Sequence, residues 1–247
     1  MNAAEMLPIA AIFVMAGLVK GVTGLGLPTV GVGLLSLLLP PAEAAALVVV
    51  PALATNLWQM LAGPALGPLC RRLWPLLAGI CIGTWAGGRL LGAVDAAYAT
   101  TALGTILLAY ASVGLTRLRP SCPPERLGAG VGLVAGIATG AVTAVTGVFV
   151  IPAVPFLQAL GLGRAALVQA LGLSFTVSTV SLAALLAGSG ILGGERAWQS
   201  LLALGPALLG LIVGGRLARS LRPETFRRCF FGGLLLLGGH LALRPLL

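Results

Sequence analysis

The sequence predicts an all-α, multi-pass membrane protein made of two repeated units, and three observations carry that prediction. Hydrophobic residues make up 58% of the 247-residue chain and charged residues only 9%, with a mean hydropathy of +1.07. A soluble domain carries about 25% charged residues, so this alphabet does not supply a water-facing surface. Apolar stretches recur along the whole length instead of forming one anchor. Two short glycine motifs also occur twice, in the same order and at nearly the same spacing.

Taken in order, the apolar segments are Leu7–Leu39, Ala44–Ala62, Leu73–Val94, Ala99–Leu115, Leu127–Leu160, Ala165–Ala187, Trp198–Leu217 and Cys229–Leu243. Six of them suit a single crossing, which takes about 20 residues. Leu7–Leu39 and Leu127–Leu160 are too long, because straight helices of that length would reach about 50 Å against a hydrocarbon core near 30 Å. Glycines interrupt both, and Pro28 and Pro152 lie within them. Each therefore reads as two helical pieces around a non-helical break. The expected count is about 8 membrane segments, or 10 if each broken segment counts twice. Residues Met1 to Leu7 hold Glu5 and no basic residue, so a signal peptide is not expected and the first run should be retained.

The net charge of +9 comes from fourteen arginines and one lysine against six acids. The arginines flank apolar runs, as orientation signals do, and no basic face with interleaved aromatics suggests nucleic acid. With Arg89 and Arg216 set aside for their matching motifs, if each long run turns back to its own side, Arg71, Arg72, Arg117, Arg119, Arg126, Arg164, Arg219, Arg222, Arg227 and Arg228 share one face, leaving Arg196 and Arg244 opposite. A single crossing by each long run gives a weaker split of seven to five. The bias favours the turn-back and places both termini outside the cytoplasm.

The repeat is visible when Gly17-Leu-Val-Lys-Gly-Val-Thr-Gly24 is set over Gly140-Ala-Val-Thr-Ala-Val-Thr-Gly147. Farther along, Gly83-x-x-x-Gly-Gly-Arg-Leu90 matches Gly210-x-x-x-Gly-Gly-Arg-Leu217. The units are taken as residues 1–119 and 120–247 of one transmembrane domain. With the turn-back, each unit crosses an odd number of times, so the two are inverted. Inverted repeats with broken helices near the midplane are a recurring transporter plan.

Glycine-rich breaks also have a chemistry. Backbone N–H groups freed at a half-helix start, with the positive end of its dipole, attract anions. Thr23 and Thr146 add hydroxyls at equivalent places, beside Gly24, Gly26 and Gly147, and Lys20 adds a positive charge in the first unit only. Two readings of Lys20 stay open: an anion ligand, or a side chain snorkelling to the interface. Gly83, Gly87, Gly210 and Gly214 suit close helix packing, and Arg89 and Arg216 suit interface anchoring. A second polar set follows each break: Thr55, Asn56 and Gln59, then Ser174, Ser178 and Ser181 with Thr176 and Thr179. Setting Leu47 over Leu167 places Asn56 on Thr176 and Gln59 on Thr179. Asn56, Gln59, Ser174 and Ser178 suit weak binding along a path, or hydrogen bonds between helices.

Catalysis finds little support. His240 is the only histidine and Asp95 the only aspartate, and Cys70, Cys81, Cys122 and Cys229 form no CxxC. No metal or haem ligand set is present in the pattern, no serine has an evident base, and no cofactor is implied.

The paired G-x-x-x-[GA]…T-G…P stretches, each followed by G-x-x-x-G-G-R-L, resemble the TauE/SafE sulfite exporter family from about Met6 to Leu243. That family often carries G-x-G-G-G before its proline. Here the copies read Gly24-Leu-Gly-Leu-Pro28 and Gly147-Val-Phe-Val-Ile-Pro152. The resemblance implies a permease for sulfite, sulfoacetate or related anions. The reading is a bacterial inner-membrane (plasma-membrane) anion permease using alternating access through a midplane site formed by the two Gly-rich broken helices, with the small anion and membrane lipid as partners, no nucleic acid, and a homodimer kept open. Two alternatives are carried: a passive channel, which conducts without saturation, and a non-transporting assembly or scaffold protein, which binds no anion.

Overall fold

The computed structural model describes residues 3–91, 95–116 and 128–244. Arg117, Arg119, Arg126, Cys122 and the expected boundary between residues 119 and 120 lie outside them. Among the described residues the chain is helical without strands: α1 (Ala3–Thr23), α2 (Leu27–Leu35), α3 (Pro41–Leu61), α4 (Leu66–Leu91), α5 (Ala96–Leu115), α6 (Gly128–Thr146), α7 (Ala153–Ala159), α8 (Arg164–Gly188), α9 (Gly194–Leu217) and α10 (Pro223–Leu243). Seven of these are long and apolar enough to cross a membrane, so the chain is a polytopic helical membrane protein. The expected crossing Leu73–Val94 differs. Its helix α4 starts earlier, at Leu66, takes in Arg71 and Arg72 as well as Arg89, and is not among the seven.

Both overlong runs are broken, and the same devices break them. α1 ends at Thr23 and α6 at Thr146, each followed by a left-handed glycine, Gly24 at φ 75° and Gly147 at φ 71°. Gly24 N–H donates to the Lys20 carbonyl at 2.7 Å and Gly147 N–H to the Thr143 carbonyl at 2.8 Å. Thr23 Oγ1 accepts from Leu25 N–H at 3.0 Å, and Thr146 Oγ1 accepts from Val148 N–H at 3.2 Å. Positive φ favours glycine because a Cβ would meet the carbonyl. The Thr-Gly pair is thus a helix stop with its own cap. The short helices α2 and α7 follow.

Gly17 and Gly140, grouped with the breaks in the sequence, lie inside helices instead. A Cβ on Gly17 would overlap the Ala207 carbonyl of α9, and one on Gly140 would overlap the Ile80 carbonyl of α4. Gly83 meets Ile137 of α6 in the same way, and Gly210 meets Val14 of α1. With little hydrophobic drive between helices in lipid, such close backbone approach supplies the association. The result is a regular pairing: α1 packs on α9, α6 on α4, α3 on α8 and α5 on α10. Exchanging the first five helices for the second five reproduces the same pairs.

Contacts sort the helix ends into two groups. Arg72 donates to the Leu160 carbonyl at the end of α7, and Arg227 to the Gly114 carbonyl at the end of α5. At the opposite end Arg196 pairs with Glu43, and Arg244 donates to the Ser36 carbonyl. The core between holds α2, α3 and α8, whose apolar residues are the most deeply buried.

Candidate functional site

A buried lysine on a membrane helix is costly unless something meets its charge. Lys20 is 4% exposed, one turn before the first break. Its Nζ donates to Asn56 Oδ1 of α3. Asn56 Nδ2 donates to Thr179 Oγ1 of α8 at 3.3 Å, and Thr179 Oγ1 donates to the Phe175 carbonyl at 2.7 Å. Asn56 and Thr179 are 0% and 1% exposed. Three helices from both halves therefore meet at one buried polar chain. An ammonium has three donors, and among the described residues only Asn56 accepts from it. No described carboxylate pairs with it. Two of its donors meet no acceptor among the described residues, and Lys20 is buried against Asn56.

Asn56 and Thr179 are 123 residues apart, the same spacing as Thr23 and Thr146, and as the starts of α3 and α8 at Pro41 and Arg164. That spacing matches Asn56 with Thr179, correcting the alignment that set Asn56 on Thr176. The counterpart of Lys20 is Thr143, buried with its hydroxyl on the Thr139 carbonyl.

The other expected residues are placed less directly. Gln59 Nε2 donates to the Val168 carbonyl at 3.0 Å. The hydroxyls of Ser174 and Ser178 donate to Leu171 and Ser174 carbonyls within α8, as helical serines do when no other acceptor is near. Gln59, Ser174 and Ser178 thus serve backbone contacts here. Thr23 is exposed and its hydroxyl caps the break. Thr146 is buried and Gly147 packs on Ala45 and Val32. Ala45 lies two residues from Glu43, whereas Thr23 lines a cavity with Arg164 and Arg227, so the two breaks sit toward opposite ends of the molecule.

That cavity has a volume of about 780 Å³. The first break supplies Val22, Thr23 and Leu25 to it, α7 supplies Val154 and Pro155, and α8 supplies Arg164. A Cβ on Gly26, at φ 99°, would meet Val19 and Phe230, so the break and the α10 wall of the cavity are neighbours. Sequence reading did not single out Arg164 as a cavity residue. The signal was its position as the first residue of a helix that follows a broken run.

Ser200 was also missed. Pro51 inside α3 has no N–H, which frees the Leu47 carbonyl one turn earlier. Ser200 Oγ of α9 donates to that carbonyl at 2.7 Å and accepts from Val50 N–H at 3.0 Å. With the Glu43–Arg196 pair, it holds the outer half of α3 to α9.

The family model described as Sulfite exporter TauE/SafE matches residues 9–241 of this chain. No curated protein and no solved structure matches it.

Proposed function

The chain belongs to the sulfite exporter TauE/SafE family, and from that membership we propose that it is an alternating-access permease for small anions of the sulfite or sulfonate type. The observation that carries the proposal is Lys20: a buried cation at the crossing of α1, α3 and α8, held by one amide oxygen and by no described carboxylate. An anion brought there is met by the ammonium, with the Asn56 and Thr179 dipoles holding its geometry. Donors that are few and mostly neutral suit a substrate that must also leave.

The helix pairing supports a two-fold relation between residues 1–119 and 120–247, and an inverted pair of repeats gives each side of the membrane access in turn. The two ends differ in a way that fits one such state. At the arginine-rich end a cavity reaches the first break. At the other, Glu43–Arg196 and Ser200 clamp α3 to α9. The positive-inside bias makes the cavity end cytoplasmic in a bacterial inner membrane, and with the family's description as an exporter the reading is export, substrate loading from the cytoplasm without covalent chemistry.

The test is thermal stability of the purified protein against sulfite, sulfate, thiosulfate, sulfoacetate, acetate and chloride, with Lys20→Met alongside. A ligand present at 100 times its Kd adds about 2.7 kcal/mol if it binds only the folded state. Selective stabilisation by a sulfur oxyanion, lost in Lys20→Met, supports the reading. Equal response to every anion, or none, rejects it.

A further inference from the structure

The cavity at the arginine-rich end has features that a bare oxyanion does not use. Its volume of about 780 Å³ falls within the range of about 300–1,000 Å³ typical of sites for organic ligands, and sulfite would occupy a small part of it. One wall is cationic. Arg164 is the first residue of α8 and, among the described residues, has no hydrogen bond or ion pair. In the first turn of α8, Leu167 N–H is taken by the Gly163 carbonyl at 2.8 Å, while the N–H groups before it have no intrahelical acceptor. Arg227 and Glu224 also face the cavity but meet each other at 3.1 Å, and Arg228 lies 3.5 Å from Glu224. Among the described residues lining the cavity, Arg164 is therefore the cation left for a ligand.

The opposite wall is aromatic. Phe230 and Phe231 have ring centroids 4.9 Å apart, Phe231 meets Tyr110 edge-on at 5.3 Å, and Phe226 stacks on Phe230 at 6.2 Å. A strongly hydrated inorganic anion gains nothing from such a wall, whereas an apolar or aromatic body leaves water against it. Phe230 also lies beside Gly26, 3.6 Å from where a Cβ there would stand, which sets the aromatic wall next to the first break.

The geometry points to a loading site for soluble organic anions, with a sulfonate-type head on Arg164 and the α8 first turn, and an apolar body on the Phe230–Phe231–Tyr110 wall. The inference rests on the permease reading for its use in transport, but the binding stands apart from it. A phospholipid shares the anionic head and apolar body, and the test separates the two sources.

The experiment measures calorimetric binding of benzenesulfonate, methanesulfonate and sulfite to the full chain in zwitterionic nanodiscs at matched ionic strength. The variants are Arg164→Gln, Arg164→Lys, Phe230→Ala and Arg219→Gln. Benzenesulfonate is expected to bind at least tenfold more tightly than methanesulfonate. Arg164→Gln weakens it at least tenfold, Arg164→Lys less, and Arg219→Gln not at all. Phe230→Ala removes the advantage of the aromatic body and leaves methanesulfonate unchanged. Equal affinity for the two sulfonates in the wild type overturns the proposal, even if a variant fails to fold. Full binding in a folded Arg164→Gln also overturns it, as does a co-purified anionic phospholipid lost in Arg164→Gln without sulfonate binding. Sulfite flux that benzenesulfonate does not compete with overturns the loading role and leaves the permease. Benzenesulfonate binding without flux of any anion keeps the site and removes the permease.

Discussion

Replacing Lys20 with methionine separates a lysine kept for a ligand from one kept for the fold. Methionine retains the unbranched length and removes the ammonium. In the structure that ammonium has one protein partner, Asn56 Oδ1, so the substitution leaves a buried amide oxygen without its donor, at a cost of about 1–3 kcal/mol. Against this stands the cost of an ammonium in an apolar segment, about 2.5–3.5 kcal/mol at a helix centre on insertion scales and less toward a helix end, where Lys20 stands in the last turn of α1. The two terms nearly cancel, and ligand-free stability in detergent should fall by less than about 1 kcal/mol or rise. Anion binding behaves differently, because it loses a hydrogen bond to a charged donor, about 1.5–3 kcal/mol. That is a Kd roughly ten- to a hundredfold weaker. Thermal unfolding with and without sulfite reads both quantities on one sample. A variant that binds sulfite like the wild type, or that loses more than about 3 kcal/mol of ligand-free stability, would refute the assignment and make Lys20 a packing residue.

Three further outcomes follow from the packing. Gly17→Ala, whose Cβ overlaps the Ala207 carbonyl, should lose about 1–3 kcal/mol, while Gly232→Ala, with nothing within 4 Å, should gain about 0.5–1 kcal/mol from helix propensity; paired melting curves check both. Gly24→Ala and Gly147→Ala each meet the left-handed penalty of about 1–2 kcal/mol, but Gly147→Ala should melt lower, because its Cβ would lie 2.6 Å from the Ala45 Cβ whereas Gly24 has open space. Ser200→Ala leaves the Leu47 carbonyl without a partner beside Pro51, which should lower stability by about 1–3 kcal/mol, and Ser200→Thr should recover part of it.

Much of the fold is legible in the sequence because lipid imposes strong rules. Run length and glycine spacing are each one-dimensional, and they suffice for helices and breaks. The Thr-Gly stops read correctly as places where helices end, since the signal is local. What the sequence leaves ambiguous is which glycines bend and which pack. Gly17 and Gly24 stand in one motif, yet one meets a neighbouring carbonyl and the other turns the chain, and only the partner helix decides. The site divides along the same line. Lys20 stands out as the one lysine in an apolar run, and its contact with Asn56 joins residues 36 apart in the chain. Thr179 is identified through the shared spacing of 123, a signal present in the sequence but hidden by aligning apolar leucines that repeat too often to fix register. Ser200 and Arg164 gain their meaning from a proline-freed carbonyl and from a cavity, both products of tertiary packing.

The most direct test of an anion permease is flux. Purified protein in liposomes, given radiolabelled sulfite on one side, should show uptake that saturates with concentration and is competed by sulfonates. Lys20→Met, folded and reconstituted to the same level, should lose at least nine-tenths of that flux, as a roughly ten- to hundredfold loss of affinity requires at subsaturating sulfite. Uptake that rises linearly without saturation, or that Lys20→Met leaves intact, would contradict the account.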